Sequence, residues 1–195
     1  MNARVSTHRD RLLREGMRQL YARGFHGTTV DGVLEATGVP KGSFYHHFGS
    51  KELFAGELLR RYTADQMAML DRWSETPELT TSQALAGYFR ELADLVVNSQ
   101  YRRACLVGKL TTELAAAYDT FNEQLHSDLD TWRDRIRRLF ERGQQRGDIR
   151  ADQSAEELAE VALALIQGAF VVALATRNSA ALDSVTTALA ALGTR

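Results

Sequence analysis

TTVDGVLEATGVPKGSFYHHFGSK, residues 28–51, decides the reading of the chain. It reads as two short helices joined by a tight turn. Thr28 is placed to cap the first, and Asp31 three residues on completes a T-x-x-D capping box. Val30, Val33 and Leu34 fall at i, i+3 and i+4, so one face is apolar and turns inward. Gly38 stops this helix, because glycine alone takes a left-handed conformation cheaply. Pro40 opens the second helix, where its missing N–H costs nothing. There Phe44 and Phe48 share a face, while Gly42, Ser43, Tyr45 and His46 point mostly the other way. So short a helix is not stable in water alone. It must be clamped by its phenylalanines, with small and polar residues facing out, as a recognition helix for the DNA major groove is built.

The wider stretch TTVDGVLEATGVPKGSFYHHFGSKELF resembles the N-terminal domain of TetR-type transcriptional regulators. The resemblance lies in the TTV start, the A-x-x-G-V turn, the K-G-x-F-Y-x-H-F helix and the S-K-E-L opening of the next helix. It covers about sixty residues strongly and the remainder more weakly, in helix count and placement. It implies a helix-turn-helix domain over residues 6–66, with the motif at 29–48, and a ligand-sensing and dimerisation domain over 67–195. It also implies that the helix after the motif transmits the ligand signal.

Composition agrees with two modules. Residues 1–66 hold ten Lys or Arg and seven Asp or Glu; residues 67–195 hold fourteen and eighteen. A modestly basic head on an acidic body suits a DNA-contacting module joined to a different one. The N-terminus has no apolar run behind its charges, so no signal peptide is read. The longest uncharged stretch, Val161–Thr176, is shorter than the roughly twenty residues of a membrane span and reads as a buried helix. One cysteine excludes an internal disulfide and points to the cytoplasm. Two prolines and few β-branched runs predict an all-α chain of about nine helices.

In chain order, residues 1–5 read as a basic arm and a first helix runs from about Thr7 to Arg23, ended by Gly24. Ser50 caps a long helix from Lys51 towards Trp73, and SETPELT, 74–80, is a linker. Helices follow at about 81–99, 104–117 and 120–146, the last with arginines crowding its outer side. Ser154 and Glu157 form a capping box for a helix that is apolar almost all round, and a last helix spans about 180–192. An all-round apolar helix must be covered on every side. Residues 154–192 therefore predict a four-helix bundle with a second copy, in which Ala164, Gly168, Ala169 and Ala173 allow close approach.

The DNA-side candidates are Thr29, Lys41, Gly42, Ser43, Tyr45, His46 and Lys51. Lys41 and Lys51 carry charge to phosphates, and Lys41 also reaches towards a guanine edge. Gly42 lets the backbone come close, Ser43 and His46 have groups for base edges, and Thr29 and Tyr45 suit phosphate. His47 is expected beside Phe48. Adjacent histidines 46 and 47 point about 100° apart and have no carboxylate or cysteine at ligand spacing, so no metal or other cofactor is expected.

On the sensor side Cys105 follows Arg102 and Arg103, lies near a helix N-terminus and has Lys109 one turn on, influences that favour a thiolate. ACLVGKLTTELAAAYDTF, with DTWRDRIRRLFERGQQRGDIRAD and IQGAF further on, resembles a subgroup of TetR regulators. These control reductases and related genes that remove reactive electrophiles and unsaturated carbonyl compounds. In that subgroup a cysteine at the matching C-L position can serve as sensor, and a lysine in a C-terminal helix sometimes partners it. The only lysines here are 41, 51 and 109, so such a partner would be Lys109. The other reading of Cys105 is an inert, buried small hydrophobe. In that case Tyr88, Phe89, Tyr118, Trp132 and Phe170 are the candidate lining of an apolar pocket, each also a candidate for plain core.

These residues together predict a homodimeric repressor on a palindromic double-stranded operator, released by a small molecule or by modification of Cys105. An activator of the same fold fits the sequence equally. The alternative of another class is an all-α carrier or enzyme without DNA binding. No Ser-His-Asp, metal or phosphate-loop pattern supports an enzyme, and a carrier would not need Lys41, Tyr45 and Lys51 as placed.

Overall fold

The computed structural model describes residues 7–114 and 119–192, with the backbone alone at 119 and 120. The expected arm at 1–5, the C-terminal end of the helix expected to reach 117, and Tyr118 lie outside the described residues. Among the described residues there are nine helices and no strand. They are α1 (His8–Gly27), α2 (Val30–Thr37), α3 (Lys41–Phe48), α4 (Lys51–Ser74), α5 (Thr81–Asn98), α6 (Leu106–Leu114), α7 (Asp119–Arg146), α8 (Ala155–Thr176) and α9 (Ala180–Ala191).

The head is α1 to α3 packed on the start of α4. Its core is aromatic. Phe44 and Phe48 are buried, and the Phe54 ring meets both, at centroid distances of 5.1 and 4.7 Å. The turn between α2 and α3 is set by Gly38, in the left-handed region at φ 64°, whose N–H donates to the Leu34 carbonyl. The α2 cap differs from expectation by one residue. Thr29 is the N-cap, its hydroxyl oxygen accepting the Gly32 N–H at 3.0 Å. Thr28 is buried instead and donates its hydroxyl to the Gly24 carbonyl at 2.7 Å. A buried hydroxyl needs a partner, and the broken end of α1 supplies one. Pro40 is the N-cap of α3 rather than its first residue.

The body joins the rest of α4 to α5–α9: α4 packs on α5, α6 and α7, α8 packs on α7, and α9 packs on α5 and α8. Ser50, Thr80 and Ser154 cap α4, α5 and α8, the last two through full capping boxes with Gln83 and Glu157. The α7 arginines tie helices together rather than merely facing solvent. Arg137 reaches Glu141 and Glu156, Arg133 reaches Glu156 and Glu160 on α8, and Arg135 reaches Asp71 on α4.

The α8 helix is long and apolar enough to cross a membrane by length and composition, more than its uncharged stretch suggested. Its inner face is nevertheless part of this body, with Leu158, Ala162, Ile166, Ala169, Phe170 and Ala173 buried. Among the described residues, cover on every side is not reached. Val161, Ala164, Leu165, Gly168, Val171 and Val172 are all exposed. Their spacing of i, i+3, i+4, i+7, i+10 and i+11 makes one continuous stripe. Ala169 and Ala173, expected on that outer surface, face inward.

Candidate DNA-binding face and effector cavity

The outward side of α3 carries Lys41, Gly42, Tyr45, His46 and His47, all exposed, with Ser43 half-buried. The burial of Phe44 and Phe48 forces this orientation, because the intervening residues of a two-turn helix then face away from the head. The Lys41 ammonium donates to the Asp31 carboxylate at 3.0 Å, and this bond raises its pKa. Ser43 lies 3.3 Å from the His8 ring. A Cβ built on Gly42 would meet nothing within 4 Å, so the chain itself does not require glycine there. His47 is exposed, with its ring 6.0 Å from Phe48.

Lys51 departs from the picture of a solvent-facing cation at a helix start. Its ammonium lies 4.3 Å from the centroid of the Phe25 ring, a cation–π contact, and burial lowers its pKa. A phosphate contact from Lys51 would require it to swing off that ring.

Phe25 also marks where body meets head. Gly24 breaks α1 at φ 70°, which leaves the backbone beyond it without helical partners. The body supplies them from α6. The Glu113 carboxylate accepts the N–H of Phe25 at 3.0 Å and of His26 at 2.9 Å. Lys109 donates to the Tyr21 carbonyl at 2.6 Å. Lys109 is thus engaged with the head rather than with Cys105, which is why its expected role beside the thiol is not seen.

A cavity of about 550 Å³ lies where α1, α4, α5, α8 and the turn before α6 converge. Tyr21 of α1, Tyr62 and Gln66 of α4, Leu92 and Val96 of α5, Cys105 and Phe170 all line it. Of the expected sensor residues, Cys105 and Phe170 are therefore brought together. Tyr88, Phe89 and Trp132 do not line this cavity. They are sealed in the core, where the Trp132 indole donates to the Tyr88 hydroxyl at 2.8 Å. Large aromatic side chains bury the most area and are drawn to the centre of the body.

The thiolate expected at Cys105 is not favoured. Burial pushes the thiol above its ordinary range. The Gly108 N–H and the Gln167 amide, both 3.4 Å from Sγ, and a hydrogen bond from Tyr62 act in the opposite direction without prevailing. Desolvation dominates because Cys105 lies at the inner wall, whereas Arg102 and Arg103 are exposed at its mouth. Tyr21 and Tyr62 are likewise held as neutral phenols by burial.

Tyr21, Tyr62 and Gln66 were not singled out from the sequence as site residues. Tyr62 and Gln66 stand one turn apart on the inner face of α4, and a glutamine on such a stripe was the available signal. Gln66 is 7% exposed and its Oε1 has no partner among the described residues. Among the described residues no group of three or more His, Cys, Asp or Glu could hold a metal ion.

A short helix with an outward polar face on a small head, and a cavity lined from both head and body, are the features that the comparisons with known proteins bear on. The description "Tetracyclin repressor-like, C-terminal domain" matches residues 82–189, and "Bacterial regulatory proteins, tetR family" matches 12–58. The transcriptional regulator AcuR of Cereibacter sphaeroides is 35% identical over 76% of this chain and 68% of its own length. The HTH-type transcriptional repressor DhaR of Mycobacterium sp. strain GP1 is 30% identical over 92% of this chain and 88% of its own. The crystal structure of a regulatory protein TetR from Rhodobacter sphaeroides superposes with a TM-score of 0.86 at 32% identity, covering 93% of this chain and 96% of that one. The chain belongs to the TetR family and is a DNA-binding transcriptional regulator.

Proposed function

We propose that the chain is a homodimeric, cytoplasmic repressor that binds a palindromic operator through residues 28–51 and leaves it when a small molecule enters the cavity. It acts by binding rather than by catalysis. The head spans 6–66 and the sensing and dimerisation domain 67–195. One observation carries this reading: Tyr21, on the first helix of the head, lines the same cavity as Cys105 and Phe170 of the body. A ligand there touches α1 and α4 directly, and it shifts the heads to the extent that it favours one dimer arrangement.

On DNA, Lys41 contacts phosphate or a guanine edge, exchanging Asp31 for the duplex. The open space at Gly42 admits the sugar-phosphate backbone. The Thr29 oxygen accepts the Gly32 N–H, which leaves its hydroxyl proton for a phosphate. Ser43, Tyr45 and His46 complete the contacts, with Lys51 joining once released from Phe25. The α8 stripe and α9, within residues 154–192, pair with the second copy. Modification of Cys105 is the second route to release. It requires an electrophile that enters the cavity, because the thiol is buried and protonated.

The test is binding to DNA from the region upstream of the coding sequence, at fixed salt, with N-ethylmaleimide as the electrophile and Cys105→Ser alongside. Release of the wild type alone supports the covalent route. Binding by both proteins with release of neither leaves the reversible ligand. Absence of any sequence-specific binding contradicts the operator reading.

A further inference from the structure

We propose that the cavity takes a small organic anion, its charged end held by Arg102 and Arg103 and its apolar body laid inward against Leu92, Val96 and Phe170. This rests on reading the cavity as the effector site. Two exposed arginines stand at its mouth, and no carboxylate lines it. Many arginines elsewhere are paired with acids, as Arg72 is with Glu91 and Arg133 with Asp130. Among the described residues, neither Arg102 nor Arg103 has a carboxylate within ion-pair distance. The pair shares that lack with others such as Arg90 and Arg142; what sets it apart is its place on this cavity. Asp65 acts weakly on Tyr21 but does not line the cavity.

The turn that carries the pair is held in place. Gln100 and Tyr101 are both left-handed, at φ 55° and 56°. The Ser99 hydroxyl oxygen accepts the N–H of Arg102 at 3.1 Å and of Arg103 at 3.0 Å, and donates to the Val96 carbonyl at 2.7 Å. The Arg103 guanidinium carbon lies 5.4 Å from the centroid of the Tyr21 ring, a cation–π contact beside the cavity. Planar forks of N–H donors suit carboxylates and related oxyanions. The buried Gln66 Oε1, without a partner among the described residues, favours a ligand whose far end carries a hydroxyl or amide N–H.

The experiment measures binding by calorimetry for straight-chain and aryl carboxylates of increasing length, each beside its own carboxamide. The proteins are the intact chain, Arg102→Gln/Arg103→Gln and Lys41→Ala, each first shown to melt like the wild type. The expected result is that best-fitting carboxylates bind about tenfold tighter than their amides, with the preference lost in the arginine variant and kept in Lys41→Ala. Equal or tighter binding of the amides, or a carboxylate preference that survives in the arginine variant, overturns the anion assignment while the cavity stands as a ligand site. A preference lost in Lys41→Ala instead places the anion on the DNA face and overturns it too. Failure of both series to bind contradicts the anion proposal and the effector-cavity reading together.

Discussion

Two faces of this molecule are left largely exposed among the described residues, and they are made of opposite materials. The α3 face presents Lys41, Gly42, Tyr45 and His46 around an aromatic anchor. The α8 face presents Val161, Leu165, Val171 and Val172, with Ala164 and Gly168 between them. The first suits a hydrated polyanion, whose binding releases counterions and weakens with salt. The second suits another apolar surface, whose burial salt does not weaken. On the proposed function, one chain carries two docking surfaces with opposite responses to ionic strength.

The largest effect should come from charging the apolar face. Leu165→Glu with Val172→Glu is expected to give a monomer by sedimentation. Operator affinity should fall at least about a hundredfold, because one head alone reads too few base pairs. Lys41→Ala is expected to weaken operator binding about tenfold and lower the salt slope by about one, read by anisotropy across a salt series, with the dimer intact.

The contacts between head and body give the next size of effect. Glu113→Ala removes the acceptor of two backbone N–H groups at the broken end of α1. Its expected cost is about 1–3 kcal/mol in urea unfolding. Cys105 gives the smallest effect and one dependent on pH. Its folded pKa lies above the ordinary value of 9.0. Below that value both folded and unfolded thiols are protonated and contribute nothing to pH dependence. Above it the unfolded chain ionises first, so stability falls as pH rises. Cys105→Ala should remove that part of the fall in melting temperature, leaving the part from buried Tyr62 and Tyr88.

The head was the more legible half of the sequence. Phe44 and Phe48 on an eight-residue helix permit few arrangements, and Gly38 and Ser50 mark its boundaries within the chain itself. Thr28 and Thr29 were separated only by tertiary structure, since either hydroxyl could cap and burial chose between them. The cavity was much less legible. Its walls come from five separate places in the chain, and Tyr21 and Tyr62 carry the same helical spacing as ordinary core. Tyr88, Phe89 and Trp132 failed as lining for the converse reason: nothing local distinguishes an aromatic beside a void from one beside a neighbour. At Cys105 nearby charges and a helix start were visible in the sequence, but the burial that outweighs them was not.

The most direct single measurement is a footprint of the intact chain on DNA flanking its coding region, with the mass of the bound species determined in parallel. Protection of two symmetric half-sites about one helical turn apart, or a multiple of that, by a dimer is the expected result. Protection of a single half-site by a monomer, or none at any salt concentration, would contradict the assignment of α3 to the operator and α8 to the second copy.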